Sequence, residues 1–227
     1  TTLAAGAGND ITLNNANDFS TVIVTNGNNV TLNDVNALDL GASTVSGTLN
    51  VTTNGAITDS GALVVTGTTT LAAGAANNIT LDAANNFSTV VITSGNNVTL
   101  NDTNALNFGA STVSGTLDVT TAGAITQGGA LAVTGTTTLT AGGANNITLG
   151  NAANNFSTVT VISGNNVTLT DANAINLGAS TVSGTLNVTA SGTITDSGNL
   201  AVTGTTTLVA GAANDITLDN ANDFSTV

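Results

Sequence analysis

The stretch Thr66-Gly67-Thr68-Thr69-Thr70-Leu71 returns unchanged along the chain and decides the fold. The same six residues recur at 134–139 and at 203–208, and the chain begins inside the motif at Thr1. The leucines that close the motif recur at a nearly constant spacing of about 68 residues, a fixed period that is the signature of a repeat architecture. They are Leu3, Leu71, Leu139 and Leu208.

The period divides the 227 residues into three repeats and the beginning of a fourth, with boundaries at 1–68, 69–136, 137–205 and 206–227. The first two repeats differ at 16 positions. Apolar residues exchange with apolar ones, as Leu40 does with Phe108, and polar residues exchange among Asn, Asp, Ala, Ser and Thr, as Asn26 does with Ser94. The extra residue of the third repeat falls in Gly150-Asn151-Ala152, as expected for a surface turn. We predict a single continuous segment over residues 1–227.

Within a repeat, apolar residues alternate with Thr, Ser and Asn at a period of two, which is typical of strands. Gly, Asn and Asp separate these runs, and no window carries a capped helical pattern. In the second repeat we predict nine short strands: Thr70-Leu71, Ile79-Leu81, Ser88-Thr93, Val98-Leu100, Ala105-Phe108, Ser111-Val113, Leu117-Val119, Ala124-Thr126 and Leu131-Val133. Nine strands make three coils of three, or about 23 residues per coil.

Strands this short cannot form a free-standing sandwich, but they can stack as a β-solenoid in which each coil adds one rung. We therefore predict an all-β, right-handed parallel β-helix with about three coils per 68-residue repeat. About ten coils would form a rod of roughly 50 Å. Four phenylalanines share one repeat position and are expected in the core rather than on a sugar platform: Phe19, Phe87, Phe156 and Phe224.

The composition excludes whole classes of function. Lys, Arg, His and Cys are absent, and the net charge of −13 is carried by Asp alone. Without cations the chain cannot neutralise nucleic-acid phosphates or bind anionic membranes. Imidazole and thiolate metal sites and the Ser-His-Asp triad cannot form. No apolar run reaches the ~20 residues of a membrane span. We predict no enzyme activity, no cofactor, and no catalytic, cofactor-binding or metal-binding residues.

The aspartates leave one alternative open, because calcium prefers several carboxylate and carbonyl oxygens. Asp59 is replaced by Gln127 in the next repeat, and a ligand position should not lose its charge so freely. We expect solvated turn carboxylates, with weak Ca²⁺ binding as the alternative. The residues concerned are Asp10, Asp18, Asp34, Asp39, Asp59, Asp82, Asp102, Asp118, Asp171, Asp196, Asp215, Asp219 and Asp223.

Two further patterns have a structural and a functional interpretation. Asn pairs recur once per repeat, and we expect them to provide left-handed turns and an amide ladder rather than a polar binding strip. They are Asn28-Asn29, Asn96-Asn97 and Asn165-Asn166.

The Thr-Gly-Thr motif suggests an ice-binding hydroxyl array. It recurs only once in three coils, so we expect no rung-by-rung ladder and favour strand-stabilising threonine.

The phrases at 28–34, 41–49 and 55–61 resemble the repeat arrays of filamentous-haemagglutinin-like and autotransporter-like giant bacterial adhesins. The resemblance covers all 227 residues and implies a secreted right-handed β-solenoid. It also implies export by a type V route in a Gram-negative bacterium. The signal peptide, secretion domain and receptor-binding tip of such proteins have no counterpart here.

The sequence thus predicts a rigid stalk or fibre segment of a secreted bacterial surface adhesin or extracellular filament. The alternative is a carbohydrate- or Ca²⁺-binding solenoid module. We expect no nucleic-acid partner and no membrane insertion of this segment. The chain begins and stops within a repeat, so we expect continuation into further repeats or axial self-association.

Overall fold

The computed structural model describes residues 1–227 and contains only strands and turns. Because β-branched residues alternate with small polar ones, each short run is extended and is ended by a Gly- or Asn-containing turn. There are 26 strands: β1 (Thr2–Ala4), β2 (Ile11–Asn17), β3 (Thr21–Asn26), β4 (Val30–Asp34), β5 (Leu38–Leu40), β6 (Ser43–Val45), β7 (Leu49–Thr53), β8 (Ile57–Asp59), β9 (Leu63–Ala72), β10 (Ile79–Ser94), β11 (Val98–Asp102), β12 (Leu106–Phe108), β13 (Ser111–Val113), β14 (Leu117–Thr121), β15 (Ile125–Gln127), β16 (Leu131–Thr140), β17 (Ile147–Leu149), β18 (Asn155–Ser163), β19 (Val167–Asp171), β20 (Ile175–Leu177), β21 (Ser180–Val182), β22 (Leu186–Ala190), β23 (Ile194–Asp196), β24 (Leu200–Val209), β25 (Ile216–Thr217) and β26 (Asp223–Thr226).

The strands pair in parallel with strands one turn away, so the predicted β-solenoid is confirmed, with about 11 turns. Two ladders run along the whole rod. Ladder I passes through β2, β4, β7, β9, β10, β12, β15, β17, β19, β22 and β24. Ladder II passes through β3, β5, β8, β10, β11, β14, β16, β18, β20, β23 and β25.

Each turn is shorter than the length of about 23 residues that nine strands per repeat predict. Val30 pairs with Leu49 in ladder I, and β4 and β19 are seven rungs apart in that ladder. Val30 and its equivalent Val167 are separated by two repeats, which gives about 20 residues per turn. Val98, the equivalent in the second repeat, lies in ladder II. One repeat therefore spans three and a half turns, and successive repeats alternate between the two ladders.

The interior is one continuous apolar cluster that extends along the axis. It contains 48 buried hydrophobic residues between Ile11 and Val202, and the turns at the two ends pack partly buried residues against it. Phe87 and Phe156 are buried, as predicted, and Phe19 and Phe224 pack against the cluster. The extra residue of the third repeat lies between β17 and β18, in a turn, which also agrees with the prediction. The core is therefore built from contacts between neighbouring turns.

Candidate functional site

The expectation that all the aspartates are solvated is wrong at one repeat position and also at Asp196, which is 9% exposed. Asp34, Asp102 and Asp171 are each only 1% exposed. Each carboxylate accepts the backbone N–H of the phenylalanine 15 residues earlier, for example Phe87 N to Asp102 Oδ2 at 3.0 Å. It also accepts the N–H two residues later, as Asn104 N to Asp102 Oδ1 does at 2.9 Å. These aspartates join two stacked segments and are not available to a ligand.

The buried position disfavours the charged carboxylate. Burial raises the pKa of Asp102 above its ordinary value, although hydrogen bonds from the backbone of Asn104, Phe87 and Thr103 act in the opposite direction. Burial likewise raises the pKa of Asp171. Since the chain has no cationic side chain, only N–H donors compensate these charges.

A second buried polar pair recurs once per repeat and bridges two turns. The Asn85 amide donates to Asp59 Oδ2 at 2.7 Å and accepts the Leu63 N–H at 2.7 Å. In the next repeats the corresponding pairs are Gln127 with Asn154 and Asp196 with Asn222. Gln127 bonds to its asparagine amide as Asp59 and Asp196 bond to theirs. This position therefore needs a hydrogen-bonding side chain and not a charge.

The aspartates of this pair differ in electrostatics. Burial raises the pKa of Asp59 against the opposing hydrogen bond from Asn85. Burial also disfavours the charge of Asp196, but hydrogen bonds from Asn222, Asn220 and Asp219 outweigh it and lower the pKa. At the exposed Asp10, the Asn29 backbone N–H is the main cause of a lowered pKa.

The asparagine pairs form neither the predicted left-handed turns nor a continuous amide ladder; each pair bonds to an Asp or Asn of the preceding turn and to a Thr of the next. None of the asparagines has a positive φ; among non-glycine residues only Ala213 does. Instead, Asn29 donates to Asp10 Oδ1 and accepts both the N–H and the hydroxyl of Thr48, at 3.1 Å each. A Cβ on Gly47 would lie 2.5 Å from Asn29 Oδ1, so glycine leaves room for the amide. Asn97 and Asn166 bond to the threonine of the next turn in the same way.

The Thr-Gly-Thr motifs form no ladder of their own, as expected, but threonines from different repeat positions do line up rung by rung. The outward column of ladder I contains Thr68, Thr89, Asn107, Thr126, Thr148, Thr168, Asn187 and Thr207. The column combines different repeat positions because one repeat spans three and a half turns. Asn107 donates to Thr89 Oγ1 at 3.3 Å and accepts the Thr126 hydroxyl at 3.1 Å. These bonds cross-link neighbouring turns, which supports the strand-stabilising interpretation.

The structure brings together no group of three acidic side chains that could hold a metal ion. It contains no helix that could cross a membrane. The sequence nominated no catalytic or cofactor-binding residue.

What sequence reasoning missed is the buried carboxylate of Asp34 and its equivalents. Its signal is an Asp that follows the Phe of the same repeat at a constant separation of 15 residues.

A family described as repeats of unknown function (DUF5649) matches the whole chain, in units at residues 1–26, 27–94, 95–163 and 164–227. The two complete units, 27–94 and 95–163, have the period of the motif in a different phase. No curated protein and no solved structure matches the chain. Because the matched units cover every residue, the chain belongs to the family of repeats of unknown function DUF5649.

Proposed function

We propose that the chain is a rigid structural segment, a stalk or fibre, in a secreted bacterial surface adhesin or extracellular filament. One observation carries the proposal: ladders I and II run through the solenoid from one end to the other without a break. A rod of this kind holds whatever lies at its two ends at a fixed separation. The resemblance to giant adhesin repeats adds the surface location and the type V export route.

The contacts explain why the segment should be stiff. Backbone hydrogen bonds connect each turn to the next, and the apolar cluster is continuous through them. Side chains add further links, as Ser46 does by donating to Ala7 O, 39 residues away. Bending the rod would open several of these links at once. Parallel pairing is also compatible with continuation of both ladders into further repeats.

The mechanical part of the proposal is tested by electron microscopy of chains with one, two and three added repeats. We expect straight rods that lengthen by about 17 Å per repeat, from three and a half turns at the strand spacing. Separate beads on a flexible string would contradict a rigid spacer.

The location is tested on intact cells that produce the protein. Antibodies raised against the folded 227-residue chain should label these cells without permeabilisation. Labelling that requires lysis would contradict the extracellular assignment and leave the rod geometry intact. The two tests therefore separate the mechanical role from the cellular setting.

A further inference from the structure

A surface groove recurs at the same place in three successive repeats. The first lies between β9 and β10, where Val64, Thr66, Asn86 and Ser88 line it. Its counterparts are lined by Ala132, Thr134, Asn155 and Ser157, and by Ala201, Thr203, Asp223 and Ser225. The three grooves have volumes of about 500, 220 and 310 Å³. They are a repeated feature of the fold and not a local irregularity.

The groove lies where the register between β9 and β10 shifts. Val65 pairs with Phe87 and Thr68 with Thr89, so three steps on β9 oppose two on β10. The same shift occurs between Val133 and Thr136 and between Val202 and Thr205. The extra residue of β9 has no partner on β10, and the groove lies at this register shift.

The groove presents polar groups that the fold does not use. Thr66 and Ser88 are exposed, and neither hydroxyl has a hydrogen-bond partner in the chain. Asn86 accepts a 2.7 Å hydrogen bond from Asn104 through Oδ1, which leaves its own Nδ2 free to donate. Asn155 is held by Asn173 in the same way, at 2.9 Å. Val64, 40% exposed, adds an apolar surface beside these groups.

We propose that these grooves bind neutral saccharides, one ring or a short chain in each. Each groove offers two free hydroxyls and a small apolar patch, which match the alternating hydroxyl and C–H surfaces of a sugar ring. The polar group beside them is an amide donor in the first two grooves and the Asp223 carboxylate, an acceptor for sugar hydroxyls, in the third. An anionic ligand is disfavoured because the chain has no cation and a net charge of −13. A wholly apolar ligand would cover the hydroxyls without giving them partners.

The spacing of the grooves favours long polymers. The first and third grooves lie on the same side of the rod, seven turns or about 34 Å apart, and the second lies midway on the other side. A neutral polysaccharide long enough to span two grooves binds more tightly than a short oligosaccharide, because the second contact is intramolecular. The inference adds a ligand to the rod and does not depend on where the rod is located.

The test is titration calorimetry of the 227-residue chain with neutral hexasaccharides, built from glucose, galactose or N-acetylglucosamine, and with their long polymers. The groove variant carries Thr66→Val, Thr134→Val and Thr203→Val. The matched control carries Thr52→Val, Thr120→Val and Thr189→Val, at exposed strand positions outside the grooves. We expect the groove variant to bind the hexasaccharide about fivefold more weakly, from loss of one hydrogen bond per groove. The control should stay within about twofold.

Two outcomes would overturn the proposal. One is the absence of saturable binding of any neutral saccharide by a chain whose circular dichroism spectrum is that of a folded β protein. The other is equal weakening of the groove and control variants. Peptides selected from a random library that bind in the grooves, with an affinity that added saccharide does not change, would assign the grooves to a peptide instead. Neither failure affects the rod lengths measured by microscopy.

Discussion

The second and third repeats solve the same packing problem in two ways. In the second repeat, β10 runs unbroken, Asn85 follows Leu81 by four positions, and Asn85 bonds to the charged Asp59. In the third, a turn interrupts the strand, Asn154 follows Leu149 by five positions, and the partner is the neutral Gln127. The longer loop is paired with the longer side chain.

The comparison shows what this position is for. Asn85 and Asn154 are both fully buried, and each accepts the backbone N–H of the leucine that begins the facing strand, Leu63 at 2.7 Å and Leu131 at 2.8 Å. The fourth repeat combines the shorter spacing with an aspartate again, because Asn222 follows Leu218 by four positions and bonds to Asp196. Loop length and partner length thus vary together, while the hydrogen bond to the leucine is kept.

The largest expected effect comes from removing the shared amide. Asn85→Ala leaves the Leu63 N–H and the Asp59 carboxylate without their buried partner, and we expect a loss of about 3 kcal/mol in the free energy of unfolding. Asn154→Ala should cost about 2 kcal/mol, since its partner is neutral. Urea denaturation followed by circular dichroism measures both. Asn50→Ala, at an exposed strand position, is the control; equal losses in all three variants would refute the assigned role.

The next prediction gives the second repeat the loop length and the partner side chain of the third. Asp59→Gln alone should cost about 1.5 kcal/mol, because the longer side chain does not fit the shorter loop. A glycine inserted between Leu81 and Asp82 should cost about as much alone. Together they reproduce the third repeat, so the double variant should be about 1 kcal/mol more stable than the sum of the single changes implies. Strict additivity would mean that loop and side chain are independent.

A buried threonine with an unpaired hydroxyl occurs at the same position in three repeats, without the variation seen at the asparagine. Thr69, Thr137 and Thr206 are buried, and their hydroxyls have no hydrogen-bond partner. Thr69 occupies a core column between Leu49 and Val90, where only the hydroxyl is out of place. Thr69→Val should stabilise the chain by about 1 kcal/mol, and Thr137→Val by the same amount. Destabilisation in either repeat would reveal a partner for that hydroxyl.

The smallest expected effect is in the pH dependence. Burial raises the pKa of Asp59 above 3.8, so the folded state binds a proton more readily than the unfolded chain. This contribution to stability is complete below the unfolded pKa and is lost as the pH rises through the folded pKa. The Asp59→Gln chain with the inserted glycine should therefore lose less stability than the parent chain when the pH rises from about 3.5 to about 6. Urea titrations at both pH values check this, and an identical slope would contradict it.

The sequence was sufficient to predict an all-β chain, the parallel stacking and the buried phenylalanines, because these follow from local alternation and from the repeat. It did not predict that the runs at 79–81 and 88–93 join in the single strand β10. It could not predict the half turn. Whether Val98 follows Val30 in the same ladder depends on the length of every corner between them, which local patterns do not specify. The burial of Asp102 also escaped prediction, since Asn101-Asp102 has the composition of an exposed turn and its partner, Phe87, lies on another turn.

The central claim is a continuous rigid solenoid with three and a half turns per repeat. The most direct test is a spin-label distance between cysteines introduced at Thr52 and Thr189, equivalent exposed positions of β7 and β22 in ladder I. Seven turns at the strand spacing predict a narrow distribution centred at about 34 Å. A broad distribution, or a centre below about 25 Å, would contradict a continuous rod of this pitch.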